Sequence, residues 1–204
     1  MILINFFKWF KDFKSDKPWL IVGKGPSFDR IGEVDLTQYN VIGLNHVIYK
    51  IDCLLGSIID VDVIQMSEER PKCLHIVTPW YPHINFKPTR KSIADFIGEP
   101  WCDKVGTSLW YNSSRSSRDK APSGGPIVTV KCFNAVAVVN LLGSVKVKEV
   151  MTVGVDGGKE YSKFFKKDTL LSNGRESFDC QSSEFKNSKR NLGISVIPLF
   201  KKIN

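Results

Sequence analysis

The stretch that most constrains the fold is Trp19-Leu20-Ile21-Val22-Gly23-Lys24-Gly25-Pro26-Ser27, close to the start of the chain. Its short apolar run predicts a buried strand, which ends abruptly in a glycine-containing loop. Such glycines let the backbone turn sharply and approach another group closely. In open α/β sheets, ligands bind outside the carboxyl ends of the strands. The loop has neither the Gly-x-Gly-x-x-Gly spacing nor a Gly-Lys-Ser/Thr sequence. It therefore predicts either a less common nucleotide site or an ordinary strand-to-turn junction.

Short apolar runs alternate with segments of helical character along the chain. This alternation is typical of βαβ units, which build parallel sheets with right-handed crossovers. The sequence therefore predicts an α/β fold: a Rossmann-like, mostly parallel sheet with helices on both faces. The polar segment 159–191 gives no clear pattern. Strands are predicted at 19–22, 40–45, within 53–66, at 73–78, 150–155 and 194–198, and helices at 28–36 with Ser27 as N-cap, 93–96, and 128–142 with Gly143 as C-cap.

The N-terminal segment has the pattern of an amphipathic helix. Aromatic residues fall on one side and lysines elsewhere. We predict a helix over 1–16, followed by a single domain over 17–204 that folds without residues 1–14. Two interpretations of the aromatic side stay open: it packs on the domain or on a second subunit of a homo-oligomer, or it contacts a membrane surface. The aromatic residues are Phe6, Trp9, Phe10 and Phe13.

Composition limits the classes of partner and the cellular compartment that we expect for this chain. The 204 residues carry a formal net charge of +8, which favours anionic partners. No nucleic-acid recognition motif is visible, so nucleic acid is not expected. Five cysteines without a Cys-x-x-Cys spacing indicate neither a disulfide framework nor a zinc site, and we expect a reducing, cytoplasmic location. The three histidines have no metal-ligand spacing, and no apolar run reaches the roughly 20 residues of a membrane-spanning helix.

Four pieces of the sequence, taken in order, resemble one family. Bacterial sialyltransferases carry a Gly-Asn-Gly-Pro-Ser loop, an Asn-Gln pair, a Ser-Gly before a helix, and a Gly-Ile-Asp. The same outline occurs in flagellin-modifying accessory factors. The corresponding pieces here are Ile21–Ser27, Asn45-His46, Ser123-Gly124 before an alanine-rich stretch, and Gly154-Val155-Asp156.

The resemblance implies an enzyme that transfers a sugar from a nucleotide-activated donor, similar to CMP-sialic acid, to a glycan acceptor. It implies transfer without a metal or a further cofactor. The lysine-rich N-terminal helix, if it contacts a membrane, would suit an enzyme at the cytoplasmic face whose acceptor sits at that membrane. Three departures stand out: Lys24 replaces the asparagine of the family loop, His46 replaces its glutamine, and Gly157-Gly158 replaces an aromatic pair. A Gly25→Val substitution is expected to abolish nucleotide binding while leaving the fold largely intact. The nucleotide-binding residues that the resemblance implies are Gly23, Lys24, Gly25, Pro26, Ser27, Asn45, Ser123, Gly124 and Gly125.

The general base is the open question of this resemblance. In the family it is a histidine after the aspartate, and this chain has no histidine beyond His83. We consider Asp156 first, because a carboxylate at a strand end would face the crevice, then His46 and Glu160. Two other functions stay open. One is a nucleotide-dependent pyrophosphotransferase, with magnesium held by Asp60, Asp62 and Asp156. The other is a non-catalytic nucleotide-binding module.

Overall fold

A computed structural model describes residues 1–84, 87–114, 125–131, 133–165 and 177–200. Its α-helices are α1 (Phe6–Asp12), α2 (Asp62–Gln65), α3 (Asn134–Ser144) and α4 (Cys180–Leu192). Short 3₁₀ helices cover Pro26–Glu33, Leu36–Gln38, Asn45–Tyr49, Ile93–Phe96 and Pro100–Lys104. The strands are β1 (Ile2–Asn5), β2 (Trp19–Val22), β3 (Asn40–Leu44), β4 (Cys53–Ser57), β5 (Cys73–Pro79), β6 (His83–Ile84), β7 (Lys87–Pro88), β8 (Thr107–Tyr111), β9 (Glu149–Val153) and β10 (Ser195–Pro198).

An eight-stranded parallel sheet organises the fold, in the order β1-β8-β5-β4-β3-β2-β9-β10. The pair β6–β7 is antiparallel and separate. This confirms the predicted Rossmann-like α/β class. From β2 the chain proceeds to β3 on one side, and β9 later joins β2 on the other. The strand order therefore reverses at β2, and such a reversal opens a crevice at the carboxyl ends of the strands.

Helical segments cover both faces of the sheet, as predicted. Trp19 and Ile21 of β2 point into the apolar layer that contains residues of α1 and α3. Leu20 and Val22 point to the other face, where they meet the 3₁₀ helices through side chains such as Phe28. Because α3 is buried between the sheet and α4, nearly its whole surface is apolar.

The N-terminus differs from the prediction. Residues Ile2–Asn5 form an edge strand that pairs in parallel with β8, and the helix is confined to Phe6–Asp12. The side chain of Asn5 begins the helix by accepting hydrogen bonds from the amides of Phe7 and Lys8. Phe6 is fully buried, and its aromatic neighbours pack on the main core. The prediction of a separate helix over 1–16 is wrong. Of the interpretations of the aromatic side, packing on the domain itself is the one that the structure shows.

Several element boundaries also differ from the sequence patterns. The strand after Cys53 ends at Ser57 rather than near Met66, because Asp62–Gln65 turns into a short helix. The helix predicted from Val128 begins only at Asn134 and continues through Gly143 instead of ending there. A residue without a side chain is needed at position 143, because a Cβ atom there would lie 3.0 Å from atoms of Leu192 and Ile194. The unassigned polar segment contains α4, and β8 was not predicted at all.

No helix among the described residues is both long and apolar enough to cross a membrane.

Candidate functional site

The glycine loop after β2 is bonded to the loop after β9. The amide of Gly23 donates to the carbonyl of Val153 at 2.8 Å, and the amide of Gly25 donates to that of Gly154 at 2.7 Å. The amide of Ser27 donates to a carboxylate oxygen of Asp156 at 2.9 Å. Pro26, which is exposed, has no amide hydrogen. These backbone donors are therefore used within the protein, and the loop does not cradle a phosphate with them as a P-loop does.

The glycines in this loop are required by contact with the protein's own backbone. A Cβ atom on Gly23 would lie 2.3 Å from the carbonyl oxygen of Gly154, and one on Gly25 would lie 2.4 Å from Asp156 Oδ2. We expected these glycines to allow close approach of a ligand. The structure instead shows two strand-end loops in close contact. The expectation that a valine at Gly25 leaves the fold intact is therefore wrong, because its side chain would force the loops apart.

Asp156 holds the two loops together. Besides the Ser27 amide, its carboxylate accepts the Ser27 hydroxyl at 2.6 Å, and that hydroxyl in turn accepts the amide of Gly154 at 2.6 Å. Ser27 is thus not the predicted N-cap. The cap position of the 3₁₀ helix Pro26–Glu33 is Gly25, and the carboxylate of Asp156 binds an amide of the first turn. These contacts describe a carboxylate that positions a loop.

The side chain of Lys24 differs from the rest of the loop because it forms no ion pair among the described residues. Its ammonium lies 5.3 Å from the centre of the Tyr161 ring, and burial lowers the pKa of Lys24 to about 8. In the part of the chain that the structure describes, ion pairs join Arg30 to Glu33 and Lys131 to Glu184, and none involves Lys24. Removing a cation from water without an anionic partner is unfavourable. The Lys24 ammonium is therefore a partly buried cation whose charge no carboxylate among the described residues balances.

His46 lies beside Lys24 at the end of β3. Burial, and then the neighbouring ammonium of Lys24, lower the pKa of His46 to about 4. The imidazole is accordingly neutral at physiological pH. Its Nδ1 atom is buried and has no hydrogen-bond partner among the described residues. The Lys24 ammonium thus lies next to a neutral imidazole whose Nδ1 atom has no partner among the described residues. The sequence predicted both residues as site residues.

Asn45 belongs to a buried amide network that joins three elements. Its backbone is left-handed, with φ of 51°, a conformation that asparagine adopts more readily than most residues. Its side-chain oxygen accepts a hydrogen bond from Asn134 Nδ2 at 3.0 Å. Asn134, the first residue of α3, also exchanges two hydrogen bonds with Ser57 at the end of β4. The network ties the start of α3 to the carboxyl ends of β3 and β4.

Three half-buried aromatic residues form a wall from Lys24 to the start of α3. Tyr161 packs edge-on against Phe178 at 5.5 Å, and Phe178 lies 4.8 Å from Phe133. The carbonyl of Lys24 accepts the amide of Ser162, which holds the Tyr161 segment over the glycine loop. Sequence reasoning missed this wall together with Asn134 and Ser57. The polar residue at the start of an otherwise apolar helix was the available signal for Asn134.

The other predicted residues take different places. Glu160 is exposed and directly precedes Tyr161. Gly125 packs against Phe7 of α1, where a Cβ atom would lie 2.8 Å from the phenyl ring. Ser123 and Gly124 lie outside the described residues.

The described residues contain no group of three or more His, Cys, Asp or Glu side chains that could hold a metal ion. Asp60 and Asp62 follow β4, whereas Asp156 follows β9, and β3 and β2 lie between those strands. The ligand set of the pyrophosphotransferase hypothesis is therefore not assembled.

Comparison with protein-family models, curated proteins and solved structures produced no match for this chain.

Proposed function

We propose that the protein is a glycosyltransferase that uses a nucleotide-activated sugar. The observation that carries the proposal is the ammonium of Lys24, which is half-buried at the carboxyl ends of the parallel strands and has no carboxylate partner among the described residues. A phosphate of the donor would supply the missing negative charge. The order of motifs shared with bacterial sialyltransferases favours a donor similar to CMP-sialic acid.

The surroundings of Lys24 suit the rest of a nucleotide. The aromatic wall of Tyr161, Phe178 and Phe133 offers ring faces and edges against which a base can stack. Because Asn45 Oδ1 accepts a hydrogen bond from Asn134 Nδ2, the NH₂ group of Asn45 would be the part of the amide that donates to ribose or phosphate oxygens. Neutral polar groups would orient the nucleotide, while one cation balances its charge.

The proposed reaction is displacement at the anomeric carbon. An acceptor hydroxyl forms the new C–O bond, the bond between that carbon and the phosphate oxygen breaks, and the leaving phosphate is stabilised by the Lys24 ammonium. Because an ammonium can stabilise the charge of the leaving phosphate, this step does not require a metal. The hydroxyl proton goes to His46, whose imidazole is neutral and lies next to Lys24. Asp156 is a weaker choice than we expected, because its carboxylate already binds Ser27.

Replacing Lys24 with methionine is expected to weaken nucleotide binding by about 10- to 100-fold, the loss that corresponds to one charge-assisted hydrogen bond. Isothermal titration with CMP, CDP and UDP, without added magnesium, measures the effect. Lys50→Met is the matched control, because Lys50 is exposed at the end of the 3₁₀ helix Asn45–Tyr49. Since the substitution removes a buried unpaired charge, the variant should unfold at the same or a higher temperature.

The same interaction predicts a pH dependence. Lys24 loses its charge in the free protein as the pH rises through about 8, so the dissociation constant should increase about tenfold between pH 7 and pH 9. The Lys24→Met variant should lack this dependence. Equal affinity of wild type and Lys24→Met at pH 7 would remove the anion site from the proposal.

His46→Gln is expected to reduce the turnover of CMP-sialic acid by about 100-fold, as is typical when a general base is lost. The affinity for CMP should change by less than about threefold, since the base acts on the acceptor. His75→Gln is the control, because His75 packs edge-on against Trp9 at 5.6 Å, away from Lys24. Unchanged turnover in His46→Gln would transfer the role to Asp156 or Glu160. No release of CMP by the wild-type protein would favour a non-catalytic binding module.

A further inference from the structure

The partners of Asn134 allow its side-chain amide only one orientation. Asn134 is the first residue of α3 and is 9 % exposed. It lies 2.6 Å from the backbone carbonyl oxygen of Ser57, and a carbonyl oxygen only accepts hydrogen bonds. The group of Asn134 that faces this carbonyl is therefore NH₂, and its Oδ1 atom accepts from the Ser57 hydroxyl at 2.8 Å. The end of β4 thus determines which way the Asn134 amide points.

The orientation of Asn134 in turn determines that of Asn45. The NH₂ group of Asn134 donates its second hydrogen to the side chain of Asn45 at 3.0 Å, so the atom of Asn45 at that position must be the acceptor Oδ1. The NH₂ group of Asn45 therefore points away from Asn134. Asn45 is half-buried, and its NH₂ group has no hydrogen-bond acceptor in the part of the chain that the structure describes.

Lys24 and the turned amide of Asn45 both offer donors. They follow the neighbouring parallel strands β2 and β3, so they lie at the same edge of the sheet. The Lys24 ammonium is close enough to His46, the residue after Asn45, to lower the pKa of its imidazole. A phosphate oxygen accepts hydrogen bonds and carries negative charge, so it suits both groups. A ribose hydroxyl would leave the ammonium without an anion.

We propose that Asn134 is a positioning residue of the nucleotide site: it holds the NH₂ group of Asn45 toward a phosphate oxygen that Lys24 also binds. The assignment of this phosphate to a nucleotide rests on the proposed function. Asn134 acts through Asn45 and does not touch the ligand itself. A reversed Asn45 amide would place Oδ1 against the phosphate, and two acceptors repel each other.

Replacing Asn134 with aspartate removes the NH₂ group that sets this orientation. The carboxylate would accept from the NH₂ group of Asn45, which turns Oδ1 toward the phosphate. We expect the dissociation constant of CMP to rise at least about tenfold, while that of cytidine, which lacks the phosphate, changes by less than about twofold. Titration followed by ¹⁵N NMR measures both constants. A merely structural role would weaken both ligands by a similar factor.

Asn140→Asp is the matched control. Asn140 is 7 % exposed on the same helix, donates to the backbone carbonyl of Thr129 at 2.8 Å and accepts from the Ser188 hydroxyl at 2.6 Å. It has the same kinds of partner as Asn134 but lies where α3 meets α4. We expect a similar fall in the unfolding temperature without a change in the ratio of CMP affinity to cytidine affinity. An equal change of this ratio in both variants would overturn the proposal.

The amide orientation is tested in the wild-type protein, where no substitution can disturb folding. In ¹⁵N NMR spectra, the NH₂ hydrogens of Asn134 should exchange slowly with water and those of Asn45 quickly. The Asn45 signal should shift when inorganic phosphate or CMP is added. The variants Asn45→Asp and Asn134→Asp assign the two signals by their absence.

The outcomes separate this proposal from the proposed function. Exchange rates in the reverse order, or CMP binding without a shift of the Asn45 signal, would overturn the role of Asn134 and leave the transferase standing. A protein that binds no CMP, but whose Asn45 signal shifts with phosphate only while Asn134 is present, would support the positioning role while the transferase function fails. No shift of the Asn45 signal with either ligand would overturn the positioning role.

Discussion

Replacing Phe6 with alanine is expected to lower the free energy of unfolding by about 3–5 kcal/mol, the range for truncating a buried aromatic residue. Phe6 is fully buried in the main core, between the edge strand β1 and the rest of α1. Because domains of this size have only about 5–15 kcal/mol of stability in total, the variant would be close to unfolding at ordinary temperatures. Urea denaturation followed by circular dichroism measures the change.

The matched control is Phe164→Ala, since Phe164 is 52 % exposed and packs edge-on against Phe28. We expect a loss of about 1 kcal/mol there, which is the scale of one aromatic pair. If Phe6→Ala costs no more than Phe164→Ala, the N-terminal segment does not belong to the core. Deletion of residues 1–14 would remove β1 as well as Phe6, and we expect it to abolish cooperative unfolding, contrary to what the sequence pattern alone suggested.

Gly154→Ala is expected to be about as damaging, because two effects combine. Gly154 has a φ of 68°, where an L-residue costs about 1–2 kcal/mol. A Cβ atom would also lie 2.2 Å from the carbonyl oxygen of Gly23, and such overpacking adds about 1–3 kcal/mol. The sum is about 2–5 kcal/mol. Thermal unfolding measures the stability, and titration with CMP measures whether the neighbouring Lys24 keeps its position.

Gly32→Ala is the control for this substitution. Gly32 lies in the 3₁₀ helix Pro26–Glu33, and a Cβ atom there would meet nothing within 4 Å. We expect the free energy of unfolding to change by less than about 1 kcal/mol. The change can be an increase, because alanine restricts the unfolded chain. Near-wild-type stability of Gly154→Ala would show that the loops after β2 and β9 are not in contact.

Much of the fold was predictable because a buried strand is a local pattern. The apolar runs at β2, β3, β5, β9 and β10 were recognised, and their alternation with helical segments was enough for the α/β class. The strand β8 was missed, although it is buried. The helix α4 was missed because its polar residues dominate the pattern, and only its contacts with α3 bury one side.

In the N-terminal segment, the local pattern predicts a helix correctly but does not determine what that helix contacts. The aromatic periodicity of residues 6–13 does belong to a helix, as predicted. Whether that side meets a membrane, a second subunit or the domain depends on where the helix is placed. Its placement follows from pairing between β1 and β8, whose register joins Ile2 to Thr107. No local pattern encodes a partner so far along the chain.

The sequence by itself determined the class of fold, the strand-end positions of Lys24, Asn45 and His46, and the need for glycine after β2. Only the tertiary structure decided what those glycines contact, since Ser27 and Asp156 are 129 residues apart when they bond. It also decided that Asp156 binds a loop, while Lys24 lacks an ionic partner among the described residues. The physical reason is that periodicity reports which residues are buried, whereas hydrogen-bond partners and desolvation depend on contacts between distant segments.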